Sequence, residues 1–291
     1  FNDAPSGGSS VVTTDEGNIP GMGSQHETSA TQPFGAATDG SFKMELHGAD
    51  ATVSIGGTEL KVENGKLYHN GVEVTADAAV SVPGGAHGTL TVTGMDADGT
   101  VHYTYTLTTP VDATGNASNR PGEGDAGRGE AVHADAFDVT ITTTGGTATG
   151  QITVDALDDA PVLSTLDTTQ TTVADSEAAL TGTLSFTPGA DAEGAQVTVE
   201  VEGQTFTGTK GENGWTFTGG SDGSSFQLNG TAFTYTRPSS NTTDGRNDTI
   251  ILKVTVTDGD GDTAEQSVAV NTVAGPLFND APSGGSSAVT T

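Results

Sequence analysis

Apolar and polar residues alternate along many short runs of this chain with a period of two residues. This period is typical of half-buried β-strands, because successive side chains of a strand point to opposite faces of the sheet. No stretch shows a convincing helical period. In the first half the pattern predicts strands at Ser41–Leu46, Ala51–Ile55, Glu59–Val62, Thr89–Thr93, Val101–Thr108, Phe137–Thr142 and Gly150–Val154. In the second half it predicts strands at Leu180–Phe186, Gln196–Glu202, Trp215–Thr218, Phe226–Leu228, Ala232–Thr236, Thr249–Thr257 and Glu265–Asn271.

Short turns separate these runs. Asn-Gly pairs favour the tight turns that join antiparallel strands, and four such pairs lie between predicted strands: Asn64-Gly65, Asn70-Gly71, Asn213-Gly214 and Asn229-Gly230. About seven short strands in each half are typical of an immunoglobulin-like β-sandwich. The pattern therefore predicts an all-β chain of two tandem sandwiches.

The two ends of the chain carry the same sequence. Residues 1–14 read FNDAPSGGSSVVTT and residues 278–291 read FNDAPSGGSSAVTT, so thirteen of fourteen positions match at an offset of 277 residues. Such self-similarity indicates one full period of a tandem array followed by the start of the next copy. The chain is therefore expected to come from a longer, quasi-linear protein.

A weaker echo divides the period into domains. The segment LDDAP at 157–161 resembles FNDAP at 1–5, and proline makes the residue before it extended, which suits a connector. We therefore predict a first domain at 1–160, a second at 161–277, and the start of the next copy at 278–291. The long polar segments 17–40 and 112–134 are predicted to be loops of the first domain.

The charge balance limits the possible partners. The chain has 38 Asp and Glu against 9 Lys and Arg, a formal net charge of −29 at pH 7, and no cysteine. A nucleic-acid partner is not expected, because phosphate binding needs a basic surface. Disulfides and thiolate metal sites are excluded, and no apolar run is long enough for a membrane helix. A chain this acidic needs neutralisation, for which a bound cation is the obvious candidate.

The densest group of acids joins the last two predicted strands of the second domain. Asp258, Asp260 and Asp262 alternate with glycine in a tight loop, which can turn several carboxylates toward one point. Calcium accepts about six to eight oxygen ligands in flexible geometry, so this spacing suits calcium. The loop is not an EF-hand, because it lies between strands and lacks the glutamate that ends an EF-hand loop. The alternative is a solvated acidic turn.

Strand topology brings further acids to the same place. In a seven-strand sandwich the loop before the last strand lies at the N-terminal pole, which for the second domain faces the connector from the first. Other candidate ligands expected there belong to the connector and to a loop between early strands: Asp155, Asp158, Asp159, Asp191 and Glu193. These carboxylates would repel one another without a metal ion. With calcium bound, the connector would be clamped and the two domains would form one elongated rod.

The first domain departs from this pattern. Its matching loop, Thr143–Thr149, has no carboxylate, which weakens the case for calcium there. Candidate ligands at the N-terminal pole of this domain are the turn acids Asp96 and Asp98, beside the connector residues Asn2 and Asp3. Asn279 and Asp280, which copy Asn2 and Asp3 at the start of the next repeat, are further candidate ligands. Four acids that follow the connectors are either further ligands or solvated surface groups: Asp15, Glu16, Asp175 and Glu177.

Taken together, three features resemble a known family. They are the Asx-Asp-Ala-Pro connectors, the hairpin VTVTDGDGDTA at 254–264, and the long near-identical repeats. The chain is similar to the extender repeats of giant bacterial repeats-in-toxin adhesins, which are exported by type I secretion. The resemblance implies tandem immunoglobulin-like or cadherin-like domains, calcium at domain borders and a stalk role at the bacterial cell surface. The calcium-binding nonapeptide repeat found at the export end of such proteins is not present.

Other chemistries have little support in the sequence. None of the six histidines has a zinc-site spacing, and no nucleophile elbow or phosphate-binding glycine loop occurs. Carboxylate pairs are common enough that a glycosidase dyad is not excluded by counting alone. An enzyme needs a lined pocket, however, and the few aromatic residues are expected to pack in the cores, as with Trp215 and Phe217. We therefore expect no enzymatic activity.

These observations predict a calcium-stiffened spacer repeat of an extracellular adhesin. It would project a distal binding domain for adhesion or biofilm formation. Its partners would be calcium ions and neighbouring repeats, and the fragment itself would be monomeric. The alternative is a ligand-binding module, for instance one that binds a glycan through calcium, with segments 17–40 and 112–134 as the place to look. A secreted hydrolase would require a deep acidic cleft.

Overall fold

The computed structural model describes residues 3–23, 35–111, 128–212, 214–238 and 248–273, with only the backbone of residues 128–132. Nearly all regular structure in these residues is β-strand. A single turn of 3₁₀ helix, Glu16–Asn18, interrupts it. The described residues contain no helix that could span a membrane.

The chain divides into two units. The first consists of Phe1–Val162 together with two loops from later in the sequence, Thr187–Ala195 and Thr257–Ala264. The second consists of Leu163–Phe186, Gln196–Val256 and Glu265–Thr291. The loops of the first unit are therefore covalently continuous with strands of the second.

Two sheets form the first unit, and their strands run as follows: β1 Ser6–Gly7, β2 Ser10–Asp15, β3 Ala37–Glu45, β4 Ala51–Ile55, β5 Thr58–Glu63, β6 Lys66–His69, β7 Val72–Glu73, β8 Val80–Val82, β9 Gly88–Met95, β10 Thr100–Leu107, β11 Arg128–Thr143 and β12 Gly146–Asp159. One sheet has the order β1-β3-β10-β9-β8 and the other β2-β12-β11-β4-β5-β6-β7. Strands β3 and β11 begin inside the segments 17–40 and 112–134 that the sequence predicts as loops.

The core of the first unit lies between these sheets. One residue in two along β4 and β10 is buried, as the alternation predicts: Ala51, Val53 and Ile55 on β4, and Val101, Tyr103, Tyr105 and Leu107 on β10. The buried tyrosines keep their hydroxyl groups paired. Tyr103 shares a hydrogen bond with Ser10, and Tyr105 donates one to the buried carboxylate of Asp135.

The second unit repeats this plan with these strands: β13 Val162–Thr168, β14 Thr172–Ala174, β15 Ala179–Thr187, β16 Gln196–Val201, β17 Gln204–Gly211, β18 Gly214–Gly219, β19 Ser225–Asn229, β20 Ala232–Thr236, β21 Thr249–Thr257 and β22 Thr263–Val273. The sheet orders are β13-β15-β20-β19 and β14-β22-β21-β16-β17-β18. Aromatic rings fill much of its interior. Phe226, for example, contacts the rings of Phe206, Phe217 and Phe233.

Both units are immunoglobulin-like sandwiches. In each, the second strand pairs in parallel with the last strand, β2 with β12 and β14 with β22, whereas pairs such as β11 with β12 and β16 with β17 are antiparallel. Asn64-Gly65 and Asn70-Gly71 form the predicted tight turns, with positive φ at both residues of each pair. The chain passes from β12 to β13 through Ala160-Pro161 alone, so the predicted connector is short.

Candidate metal centre

The loop between β21 and β22 folds around the side chain of Asp258. Its Oδ1 accepts hydrogen bonds from the backbone amides of Gly261 at 3.0 Å and Asp262 at 2.7 Å. The amide of Asp258 donates to the carbonyl oxygen of Asp262 at 3.1 Å. Gly261 has a φ of 115°, which favours glycine. The alternation of Asp and Gly thus makes a tight loop in which one carboxylate oxygen of Asp258 is used by the backbone.

The other oxygens of this loop converge. One carboxylate oxygen from each of Asp258, Asp260 and Asp262 lies within 4.8 Å of the others. Asp258 is only 4% exposed, and its Oδ2 has no hydrogen-bond partner. Burial, followed by the neighbouring carboxylate of Asp260, raises the pKa of Asp258 to about 9. The surroundings therefore disfavour the ionised form unless a cation compensates for its burial.

A second group of acids consists of Glu16, Asp158 and Asp191, whose nearest oxygens also lie within 4.8 Å of one another. Glu16 has no exposed surface. Its Oε1 accepts a hydrogen bond of 2.7 Å from the amide of Val111, while its Oε2 has no hydrogen-bond partner. Burial, followed by the charges of Asp191, Asp158 and Asp159, raises the pKa of Glu16 to about 9 against the lowering effect of the Val111 bond.

Strand pairing explains why Glu16 and Asp158 meet. Strands β2 and β12 run in parallel with Asp15 opposite Leu157, so the residues that follow these two emerge side by side. Asp15 Oδ1 then accepts a hydrogen bond of 2.9 Å from the amide of Gly17, which starts the 3₁₀ turn and directs Glu16 inward.

Two hydrogen bonds donated by backbone amides hold the loops 187–195 and 257–264 in place beside these acids. Asp159 Oδ2 accepts from the amide of Ala190 at 2.8 Å. The amide of Gly259 donates to the carbonyl oxygen of Asp191 at 2.7 Å. Glycine is required at 259, since a Cβ there would lie 2.1 Å from the carbonyl oxygen of Glu193. The two acidic groups are thus joined through the backbone of Asp191 and Gly259.

The donor set fits a hard divalent cation. All six members of the two groups belong to the first unit and offer carboxylate oxygens only, which suit calcium or magnesium better than zinc. Within the described residues, Glu16 and Asp258 form no ion pair with a basic side chain, and each has one buried oxygen that lacks a hydrogen-bond partner. A bound cation would give these oxygens the partner that the protein does not.

Several sequence-predicted ligands lie near these groups without joining them. Asp155 faces His133, with 3.6 Å between its Oδ1 and the imidazole Nδ1. Glu193 is exposed, and its carbonyl oxygen lies close to Gly259 of the neighbouring loop. Asp159 is buried, but one of its oxygens anchors the amide of Ala190.

The candidates at the N-terminal pole of the first unit are not brought together. Asp96 is 65% exposed and pairs with His102 at 2.8 Å, and Asp98 is 59% exposed and lies 3.7 Å from the Nζ of Lys43. Asp3 is also exposed. Residues Asn2, Asn279 and Asp280 lie outside the described residues, as do 24–34 and 112–127 in the segments considered for ligand binding.

Glu16 is a candidate ligand that the sequence pattern does not single out. The sequence leaves it open between a ligand and a solvated acid, because strand β2 is not predicted from its pattern. The pairing of β2 with β12 turns that acid inward. The signal available in the sequence was the Asp15-Glu16 pair in the segment that follows the connector.

Comparisons with known proteins give a likeness of fold at most. No family model and no curated protein matches the chain. The similar solved structures include the titin domains Z1Z2 in complex with telethonin, at 10% identity over 94% of this chain and 98% of that chain, with a TM-score of 0.40. A titin immunoglobulin tandem has 12% identity to this chain and a TM-score of 0.27, and the match covers 93% of this chain and 97% of the titin chain. Tandem immunoglobulin repeats of Dlar have 9% identity and a TM-score of 0.23, and the match covers 93% of this chain and 97% of the Dlar chain. Because these identities and TM-scores are low, the fold assignment rests on the strand topology.

Proposed function

We propose that this chain is a calcium-stiffened structural spacer repeat of a bacterial cell-surface adhesin. It has no catalytic role in this proposal and acts by geometry: each repeat adds length, and bound calcium limits bending, so that a distal binding domain is held away from the cell.

The observation that carries the proposal is the pair of buried carboxylate oxygens without hydrogen-bond partners, Glu16 Oε2 and Asp258 Oδ2. Each lies in a group of three acids with oxygens within 4.8 Å. A buried carboxylate is costly unless it is paired or coordinates a metal ion. Calcium would compensate for both groups with oxygen ligands of the kind it prefers.

Stiffening would follow from what the two groups connect. Asp158 is the penultimate residue of strand β12, Asp191 lies in the loop between β15 and β16, and Asp258 begins the loop between β21 and β22. A cation that binds these acids would tie the end of one sandwich to loops that continue into strands of the next. With only Ala160-Pro161 between β12 and β13, little chain would remain free to bend.

The sequence supports the array and its surroundings. The repeat at an offset of 277 residues indicates a tandem array, and a net charge of −29 would keep near-identical copies from associating during folding. The parts of the proposal that concern an adhesin, export by type I secretion and an extracellular location depend on the resemblance to extender repeats.

Calcium titration of the intact chain tests the proposal. Calorimetry should detect calcium binding, and chelation with EGTA should lower the melting temperature and increase the flexibility seen by small-angle X-ray scattering. An Asp258→Asn/Glu16→Gln double variant should lose most of the calcium response. Asp138→Asn, which changes an exposed acid on β11, is the matched control and should keep it.

Two results would contradict the proposal. One is a scattering profile and melting curve that chelation does not change. The other is an equal loss of calcium response in the double variant and the Asp138→Asn control, since calcium would then bind the acidic surface without a defined site.

A further inference from the structure

The two sandwiches carry an acidic residue at the same structural position but surround it with different side chains. Glu16 is the first residue after the parallel strand β2, and Asp175 is the first residue after the corresponding strand β14. Both acids are buried, at 0% and 3% exposure. Each therefore lies at the end of its sandwich where the last strand finishes, which we call the C-terminal end.

In the second unit a basic side chain reaches this end from a position that is apolar in the first unit. In the registers of the two sheets, Thr106 lies opposite Ala37 on β3, as Thr236 lies opposite Ala179 on β15. The next residues, Leu107 and Arg237, are therefore equivalent. Their amides make the same hydrogen bond, to the carbonyl oxygens of Ala36 and Ala178 at 2.8 and 2.9 Å. Leu107 belongs to the apolar core, whereas Arg237 brings a guanidinium to the same depth.

Arg237 is paired with acids on two elements. Its Nη2 lies 2.9 Å from Glu202 Oε1 and 3.9 Å from Asp175 Oδ1, and the three side chains are only 2%, 10% and 4% exposed. Its Nη1 donates to the carbonyl oxygens of Asp175 at 2.8 Å and Glu177 at 3.1 Å. Tyr235 donates from its hydroxyl to Glu202 Oε2 at 3.0 Å. Both carboxylate oxygens of Glu202 thus have donors, unlike Glu16 Oε2.

The residue at the position of Glu202 also differs between the two units. It is the first residue of the turn between β16 and β17 and has a φ of 49°, a conformation that is uncommon for a residue with a side chain. The corresponding turn between β4 and β5 begins with Gly56, whose φ is 53°. Glutamate occupies a glycine-type position in the second unit where its carboxylate can bind Arg237.

We propose that Arg237 is a built-in counter-ion that makes the C-terminal end of the second sandwich independent of divalent ions. The guanidinium occupies the carboxylates and carbonyl oxygens that a metal ion would otherwise use there. A repeat then carries one metal-responsive end, at Glu16, and one end stabilised by the protein itself, at Asp175. The metal-responsive half of this statement rests on the proposed function, and the Arg237 half does not.

Hydrogen exchange measured by mass spectrometry on the intact chain tests this inference, with calcium and with EGTA. In the wild type, chelation should speed exchange in segments 14–18 and 257–264 and leave segments 172–178 and 201–206 unchanged. Arg237→Met keeps the aliphatic bulk and removes the charge, so it should speed exchange in the latter two segments by roughly a hundredfold. Arg237→Lys keeps the charge and should lose less. Arg237→Met/Glu202→Gly removes both members of the pair and should recover part of the loss.

Three results would overturn the inference. They are faster exchange at 172–178 on chelation of the wild type, equal losses in Arg237→Met and Arg237→Lys, and no loss in Arg237→Met. If chelation instead leaves segments 14–18 and 257–264 unchanged while the Arg237 variants behave as expected, the proposed function fails, and the role of Arg237 as counter-ion stands.

Discussion

The amide of Gly259 donates a hydrogen bond of 2.7 Å to the carbonyl oxygen of Asp191, and this bond joins the two acidic loops. It positions the loop of Asp258 against the loop that supplies Asp191 to the other group. The two groups of acids are consequently expected to respond to calcium together.

Replacing Gly259 by alanine should uncouple these loops. The new Cβ would lie 2.1 Å from the carbonyl oxygen of Glu193 and 2.9 Å from that of Asp191, so backbone must move. We expect calcium affinity to fall by roughly tenfold, about 1.4 kcal/mol, in a calorimetric titration. Gly211→Ala is the control, because its Cβ would meet nothing closer than 3.7 Å. Equal calcium affinities in the two variants would show that the contact does not matter.

Replacing Glu16 by glutamine should change the melting temperature in opposite directions without and with calcium. Without divalent cations the variant should melt at a higher temperature than the wild type, because folding of the wild type must either bury the charge of Glu16 next to other acids or take up a proton there, and glutamine needs neither. In saturating calcium it should melt at a lower temperature, because a charged ligand is lost. Differential scanning calorimetry in both buffers measures the two shifts. Shifts of the same sign would be incompatible with Glu16 as a ligand.

The raised pKa of Glu16 also predicts how the stabilities of the wild type and of Glu16→Gln depend on pH. Because the pKa rises from 4.5 to about 9, the folded chain holds this proton more tightly than the unfolded chain. In buffer stripped of divalent cations, the contribution of Glu16 is therefore complete below about pH 4.5 and is lost as pH rises toward 9. The stability advantage of Glu16→Gln should grow across this window. Urea unfolding at several pH values measures it, and a constant difference would contradict the prediction.

Asp135 gives a test that should not depend on calcium. Its carboxylate accepts hydrogen bonds from the amides of Ala86, His87 and Gly88 and from the hydroxyl of Tyr105. In Asp135→Asn an amide group would face these donors, so the free energy of unfolding should fall by about 2–3 kcal/mol. Denaturant unfolding should show the same loss in calcium and in EGTA. A loss restricted to one condition would link this site to the metal.

Alternation predicted the central strands well. Ala51–Ile55, Ala232–Thr236 and Thr249–Thr257 are predicted and observed with the same bounds. The strands that the pattern missed include the short β2 and β14 and the Thr- and Gly-rich β17. In β17 only Phe206 and Gly208 of eight residues are buried, so its regular pairing comes largely from the neighbouring strands.

The acids of the loop could be selected from the sequence because they are neighbours along the chain, whereas the members of the second group could be selected only in part. Asp258, Asp260 and Asp262 are close in sequence, and hydrogen bonds from the amides of Gly261 and Asp262 to Asp258 fold the loop tightly. Asp158 and Asp191 were predicted from topology, whereas the selection of Glu16 over Asp155 and Glu193 was not. That choice depends on which side chains the parallel pairing of β2 with β12 turns inward.

By itself, the sequence determined the β-sandwich class, the repeat and the excess of acids, since these follow from local period, identity and charge. Only the tertiary structure decided which acids are buried together and which have a basic partner. Leu107 and Arg237 illustrate the difference: nothing adjacent in the sequence indicates that they are equivalent, and strand register alone reveals it. Burial then decides the outcome, because a carboxylate removed from water needs a counter-ion, whereas the same carboxylate on the surface is solvated.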